Sequence, residues 1–467
     1  MKSTRKEPAA KPNHANSEKT SRNGYKIRTK LIHGRSKTPK WDYSHHVIPP
    51  ISASATFRLS SAHRGAKGFF EFACDTVDTK RHVPIYIYDR LDEPTRGMLE
   101  DNLAMAEEGD MAVCFATGMA AITAAICVLT RAGDEVVAHD TLYGCTYSFL
   151  TNWLPRQGVS THFANLRQPQ AIVKAITPRT RVVYFETPVN PTLELIDIPA
   201  VREVVDRANR GRKEHERIHI VVDNTFATPY CQRPLALGAE VVVQSLTKGI
   251  GGFGTDMGGA IIGPQWLHNH VMFYRKDFGG VLSPKAAWNV LVYGLPSLAA
   301  RMANMQRTAL HVANFLENHR KVERVSYPGL VSFPQRQLAE KQMVDYRGKF
   351  APGSMIYFTL KGAGAAAAER FIDYVGDKAY CVTLAVSLGQ IKTLIENPYS
   401  MTHSAYHATH SSEPKPGSAG ARGGSGAATL EHKNGARGVE PGGIRLSIGL
   451  EDRHDIIADL EKALEVV

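Results

Sequence analysis

The sequence predicts an α/β protein with a mainly parallel sheet, followed by a smaller α+β unit. Three observations predict it. Four short β-branched runs, at 134–140, 181–186, 218–223 and 240–244, are each bounded by polar or turn residues. Helical patterns lie between them, which calls for parallel pairing through crossovers. From about residue 298 the rhythm changes, with a helix over 310–316, a strand over 355–360 and a closing helix over 455–467.

Each element follows from its neighbours. The first run follows a Gly133 turn, the second follows Pro178, and the third follows a charged, helix-like stretch. Between the second and third, Ile198, Val201, Val204, Val205 and Ala208 recur at helical spacing. Asp197 supplies a cap and Pro199 sits in the first turn of a helix over 198–210. In parallel sheets ligands bind beyond the carboxyl ends of the strands. Glu186, Asp223 and Ser245 fall at those ends.

Composition sets the outer limits. The 467 residues are 43% apolar, enough for a large core in two or three domains. No apolar run reaches the roughly 18–20 residues of a membrane span, and no apolar segment follows the charged start as in a secretory signal. The six cysteines, Cys74, Cys114, Cys127, Cys145, Cys231 and Cys381, are scattered without a C-x-x-C pair. That spacing argues for reduced thiols in a cytoplasmic protein, with neither a disulfide frame nor a metal site. The net charge of +11 is confined: residues 1–40 hold 12 Lys and Arg against 2 Glu, a net of +10, which leaves +1 for the other 427. The basicity belongs to a polar tail expected to be mostly disordered, so a nucleic-acid or anion-binding protein is a weaker alternative. Residues 407–443, rich in Gly, Ser, Ala and charge, read as a surface loop.

The chemistry concentrates around Ser245-Leu246-Thr247-Lys248. A lysine at the end of a buried strand, with glycines after it and two hydroxyls before it, suits a Schiff base with pyridoxal phosphate (PLP). Asp223 ends a strand 25 residues earlier and suits a pyridine nitrogen that must stay protonated. Thr117-Gly118-Met119 opens an Ala-rich helix whose free amides suit a phosphate. Tyr143 offers a ring to stack on the pyridine. Each feature alone has a plain structural reading: a loop lysine, a helix-capping Asp, an ordinary N-cap, a packed aromatic. Their joint occurrence, in this order along one α/β pattern, favours PLP.

With these residues in place, the chain resembles the Cys/Met-metabolism PLP enzymes, the transsulfuration or cystathionine γ-synthase-like family. The resemblance runs from about Gly34 to the C-terminus, apart from the 407–443 loop. It is carried by Tyr86-Ile87-Tyr88-Asp89-Arg90, Phe115-Ala116-Thr117-Gly118-Met119, Tyr143-Gly144-Cys145-Thr146, Glu186-Thr187-Pro188-Val189-Asn190-Pro191, Val222-Asp223-Asn224-Thr225, Ser245-Leu246-Thr247-Lys248, Met401-Thr402-His403 and Ile444-Arg445-Leu446-Ser447. It implies an aspartate-aminotransferase-like (fold type I) large domain over 93–297, a smaller domain over 298–467, and an arm over 41–92 that reaches a neighbouring subunit. It implies Lys248 as Schiff-base lysine, Asp223 on the pyridinium nitrogen, Tyr143 on the ring and Asn190 on the ring hydroxyl. Gly118, Met119, Ser245 and Thr247 would hold the phosphate, joined by Tyr88 and Arg90 of a neighbour. Arg445, with Ser387 nearby, would take the substrate carboxylate. The implied assembly is a homotetramer of catalytic dimers.

Two positions narrow the reaction. Cys145 stands where, by the resemblance, most relatives that act on cystathionine or acyl-homoserines carry Gly, and Lys276-Asp277 precede Leu282-Ser283-Pro284. Both resemble methionine γ-lyases, which implies a network of Tyr143, Cys145, Lys276 and Asp277 at the leaving thiol, with Tyr143 as general acid. A small buried Cys and a surface Lys-Asp pair is the plain alternative. The expected reaction is γ-elimination of L-methionine or a related sulfur amino acid. The alternatives are γ-replacement on an O-acyl-homoserine, by a cystathionine γ-synthase or an O-acetylhomoserine sulfhydrylase, and cystathionine γ-lyase chemistry. The chain departs from the family at Glu93, usually Asn, at Thr117, usually Ser, and in the long stretches 60–81 and 402–445.

Overall fold

Seven strands form the larger sheet of the computed structural model, which describes residues 24–34, 37–38, 41–42, 46–72, 84–362, 364–402 and 439–467. Most of the basic tail and most of the 407–443 loop lie outside the described residues, as does His403. The strands are β1 (Met111–Phe115), β2 (Glu135–His139), β3 (Ser160–Ala164), β4 (Thr180–Glu186), β5 (His219–Asp223), β6 (Val241–Ser245) and β7 (Gly259–Gly263), in the order β1-β7-β6-β5-β4-β2-β3. β2 to β6 pair in parallel, whereas β7 is antiparallel to both β6 and β1. The segment from β6 to β7 carries one tight turn, Leu246–Ile250, and no crossover helix, so the chain returns antiparallel. That turn holds Lys248.

Helices cover both faces. Ala121, Ile122, Ala125 and Ile126 of helix Gly118–Leu129 pack on one face. Ile198, Val201, Val204 and Val205 of helix Ile198–Ala208 pack on the other, with Asp197 accepting the Ala200 amide as its cap. The long stretch after residue 60 contains helix Ala62–Phe72 in its described part.

The second sheet has β8 (Val322–Ser326), β9 (Met355–Leu360), β10 (Val382–Leu384), β11 (Thr393–Glu396) and β12 (Gly443–Ser447), in the order β8-β9-β12-β11-β10. Helices Ala365–Lys378 and Arg453–Glu465 pack on it. Helix Leu295–Asn318 joins the two halves. Its 24 residues span about 36 Å. Leu298, Met302 and Met305 enter a core shared with the large sheet, and Val312 and Leu316 enter the core of the small one. This common strut carries the small sheet to the carboxyl edge of the large one.

Candidate active site

Lys248 sits in the turn leaving β6 with φ −94° and ψ −133°, outside the helical region. Two close approaches fix that turn. Gly389, at φ +74°, presses on it so tightly that a Cβ there would lie 2.4 Å from the Gly249 nitrogen. Arg301 donates to the carbonyls of Gly249, Ile250 and Gly294 at 2.8, 3.0 and 2.8 Å. Burial pushes its pKa down to about 10. The Lys248 Nζ donates to Ser387 Oγ at 2.7 Å. Burial, then the Arg445 charge, pushes the lysine down to about pKa 8. Ser387 itself has φ +115°, a strained backbone for a residue with a side chain, held here by bonds on both its groups.

Arg445, on β12, is 3% exposed. It donates to Asn190 Oδ1 and the Ser387 carbonyl, each at 3.0 Å, and pairs with Glu396 at 2.9 Å. Sequence reasoning missed Glu396, because no motif surrounds it and only the β11–β12 register reveals it.

At the carboxyl edge of the large sheet, Glu186 and Asp223 are register partners. Asp223 accepts the Thr225 amide at 2.9 Å, and Glu186 accepts the Tyr143 amide at 2.7 Å. Burial raises both carboxyls. Burial and then the Asp223 charge hold Glu186 well above the usual carboxylate range. Glu186 is the one lifted further, so of the two neighbouring carboxyls it holds a proton more tightly than Asp223. Beneath them, Asn224 and Gln244 both donate to Glu107, a buried acid pushed up to about pKa 7 by burial. This network ties the residues after Asp223 and before Ser245 into one rigid unit. Glu107 also went unforeseen, since it carries no local signature.

Thr117 caps helix Gly118–Leu129 by accepting the Ala120 amide at 3.0 Å. The Gly118 and Met119 amides stand in front, at the positive end of the helix. A Cβ on Gly118 would lie 3.1 Å from Ser245 Oγ, so that hydroxyl flanks the helix end. Thr247 Oγ1 accepts the Gly258 amide at 3.0 Å. Tyr143 precedes the short helix Gly144–Ser148, and the Cys145 thiol donates to its hydroxyl at 3.4 Å. Burial, then Cys145, pushes the phenol upward and keeps it protonated.

Four expected residues stand elsewhere within one chain. Arg90 donates to the Lys276 carbonyl and lies 5.4 Å from the Tyr88 ring, and Lys276 pairs with its neighbour Asp277. None of these contacts reaches Tyr143 or Cys145, so a single chain does not bring Lys276 and Asp277 into the expected thiol network. The reason is local: helix Leu267–Phe278 carries both residues in its last turn, where the two side chains pair with each other and the Lys276 backbone carbonyl accepts from Arg90.

The donor set fits PLP. It has an amine of lowered pKa, a buried carboxyl at a strand end for the ring nitrogen, and a capped helix end with a hydroxyl for the phosphate. A family model described as "Cys/Met metabolism PLP-dependent enzyme" matches residues 28–416. The L-methionine γ-lyase of Treponema denticola is 38% identical over 439 residues, covering 94% of this chain and 96% of that protein. The cystathionine γ-lyase of Bacillus subtilis is 34% identical over 381 residues, covering 81% and 89%. Among solved structures, metB from Corynebacterium glutamicum superposes with a TM-score of 0.77 at 30% identity, covering 95% of this chain and 98% of that one.

Proposed function

Because the chain belongs to the Cys/Met metabolism PLP-dependent enzyme family, we propose that it cleaves L-methionine, or a close sulfur amino acid, by γ-elimination. It is a PLP-dependent carbon–sulfur lyase, and the relatives support γ-elimination in general. The products would be a thiol, ammonia and 2-oxobutyrate. The observation that carries the choice of methionine is the Cys145 thiol on the Tyr143 hydroxyl, 3.4 Å apart.

Bound at Lys248, the cofactor supplies an electron sink for charge developing at the substrate's α-carbon. Asp223 would keep the ring nitrogen protonated, and Asn190 would reach the ring hydroxyl. Gly118, Met119, Ser245 and Thr247 would hold the phosphate. Arg445, with Asn190 and Ser387, takes the α-carboxylate. Once the substrate's amino group has taken its place, the freed Lys248 amine, increasingly neutral as the pH passes about 8, would remove the α-proton as general base. Tyr143 would stack on the ring, and its hydroxyl, oriented by Cys145, would protonate the departing sulfur.

Tyr88, Arg90, Lys276 and Asp277 form a second group that serves a neighbouring subunit in a homotetramer of catalytic dimers. Tyr88 is 42% exposed in the single chain, which leaves it free to reach across. There Tyr88 and Arg90 meet the phosphate, and Lys276 and Asp277 approach the neighbour's Tyr143 and Cys145. Residues 93–297 form the cofactor-binding domain, 298–467 deliver Arg445 and Ser387, and 41–92 form the arm.

The test is an assay of the holoenzyme with methionine alone, and with O-acetylhomoserine plus sulfide or cysteine. Methanethiol and 2-oxobutyrate from methionine alone support the proposal. Inert methionine, with homocysteine or cystathionine formed instead, defeats it. Lys248→Ala should abolish either activity.

A further inference from the structure

Arg445 meets two kinds of acceptor. Asn190 and Ser387 offer neutral oxygens, whereas Glu396 offers a carboxylate. Glu396 and Arg445 are Cα partners on the antiparallel strands β11 and β12, so their side chains leave the same face of the small sheet. Their side chains are 1% and 3% exposed, and at that depth a charge needs its counter-charge. Glu396 is gripped from a second direction. Thr402, from the Met401-Thr402 pair of the sequence motif, donates its hydroxyl to Oε1 at 2.7 Å. Oε2 is buried without a hydrogen-bond partner among the described residues. The carboxylate's direct counter-charge is Arg445, with the Lys248 ammonium also in its field, and its position comes from Thr402 and β11.

A guanidinium has five N–H groups in a rigid fork. Two are committed here by hydrogen bonds, one of Nη1 to Asn190 and one of Nη2 to Ser387, while Nη2 also lies 2.9 Å from the Glu396 carboxylate as an ion pair. Three donors remain for a ligand. All three contacts involve the guanidinium charge, but only Glu396 brings an opposite charge, and at this depth the Coulomb attraction of a buried pair is weakly screened. The ion pair with Glu396 thus sets where the fork points.

We infer that Glu396 is the positioning residue that aims Arg445 at the substrate's α-carboxylate. The inference rests on the reading of Arg445 as the carboxylate site. It assigns Glu396 no contact with substrate. It also gives the Met401-Thr402 pair a task, which is to hold the carboxylate that holds the arginine. Without Glu396, Arg445 would be a buried cation on two neutral oxygens, free to turn toward other acceptors.

The test compares two ligands for the holoenzyme by the absorbance change of the bound cofactor. L-norleucine has an amine, a carboxylate and an unreactive chain; n-pentylamine is the same molecule without the carboxylate. The ratio of their dissociation constants isolates the carboxylate's contribution, and a general loss of structure weakens both alike. Glu396→Ala should lower the wild-type preference for norleucine about tenfold, and Glu396→Gln, which keeps an acceptor without the charge, about threefold. Glu396→Gln stands alone if the alanine variant fails to fold. A ratio that stays constant or rises in the variants, or an equal weakening of both ligands, overturns the inference. Arg445→Met is the control on its premise. If that variant keeps the preference, Arg445 is not the carboxylate site at all; if it loses the preference while both Glu396 variants keep it, only the role of Glu396 falls.

Discussion

Replacing Glu93 by Gln should stabilise the protein, and much more at pH 8 than at pH 5. Glu93 caps helix Pro94–Ala106, accepting the Thr95 amide at 2.9 Å and the Arg96 amide. It is fully buried, and burial pushes its pKa from 4.5 to about 7. The folded state therefore holds the proton more tightly than the unfolded one. Its favourable contribution is complete below pH 4.5 and is lost as the pH rises through 7. Integrating over that shift costs the folded state about 3 kcal/mol at pH 8 and about 1 kcal/mol at pH 5. Gln retains a capping oxygen and carries no charge, so its stability should not follow this course. Chemical denaturation of both proteins, at equal subunit concentration and at both pH values, gives the comparison. The gap between variant and wild type should widen by about 2 kcal/mol from pH 5 to pH 8. Other buried acids, such as Glu107, are common to both proteins and cancel. A gap that is the same at the two pH values to within about 0.5 kcal/mol would refute the linkage argument.

Lys248 in the cofactor-free protein should react with an amine-directed label with a midpoint near pH 8, where burial and Arg445 hold it. Arg445→Met should move that midpoint upward; a wild-type midpoint near the ordinary lysine value of 10.5 would count against the site as described. Gly389→Ala should cost roughly 3 kcal/mol, because the new Cβ meets the Gly249 nitrogen at 2.4 Å in a backbone already at φ +74°. Denaturant midpoints measure that loss, and an unchanged midpoint would mean that the 387–389 segment does not press on the lysine turn.

Much of the large sheet was legible along the chain. β2, β4, β5 and β6 have almost wholly buried, apolar middles, and such runs stand out as β-branched stretches. Three strands were not legible, each for its own reason. β1, Met-Ala-Val-Cys-Phe, is buried throughout and has no alternation to separate it from the helix that follows. β3, Ser-Thr-His-Phe-Ala, is a partly exposed edge strand and reads as polar. β7, Gly-Ala-Ile-Ile-Gly, is framed by glycines and looks like the continuation of the loop after Lys248. The antiparallel return of β7 followed from none of these patterns.

By itself, the sequence determined which residues stand at strand ends and helix starts: Lys248, Asp223, Glu186, Thr117-Gly118 and Tyr143. These are local properties, because a strand end or an N-cap is encoded within a few residues of itself. The tertiary structure alone decided who meets whom. Ser387 reaches Lys248 across 139 positions, Asn190 reaches Arg445 across 255, and Arg90 reaches Lys276 across 186. Strand order and register set those meetings, and both depend on how whole sheets bury their faces. For the same reason Glu396 and Glu107 stayed silent in the sequence: a buried acid looks like any other until its cation or its amides arrive from distant strands.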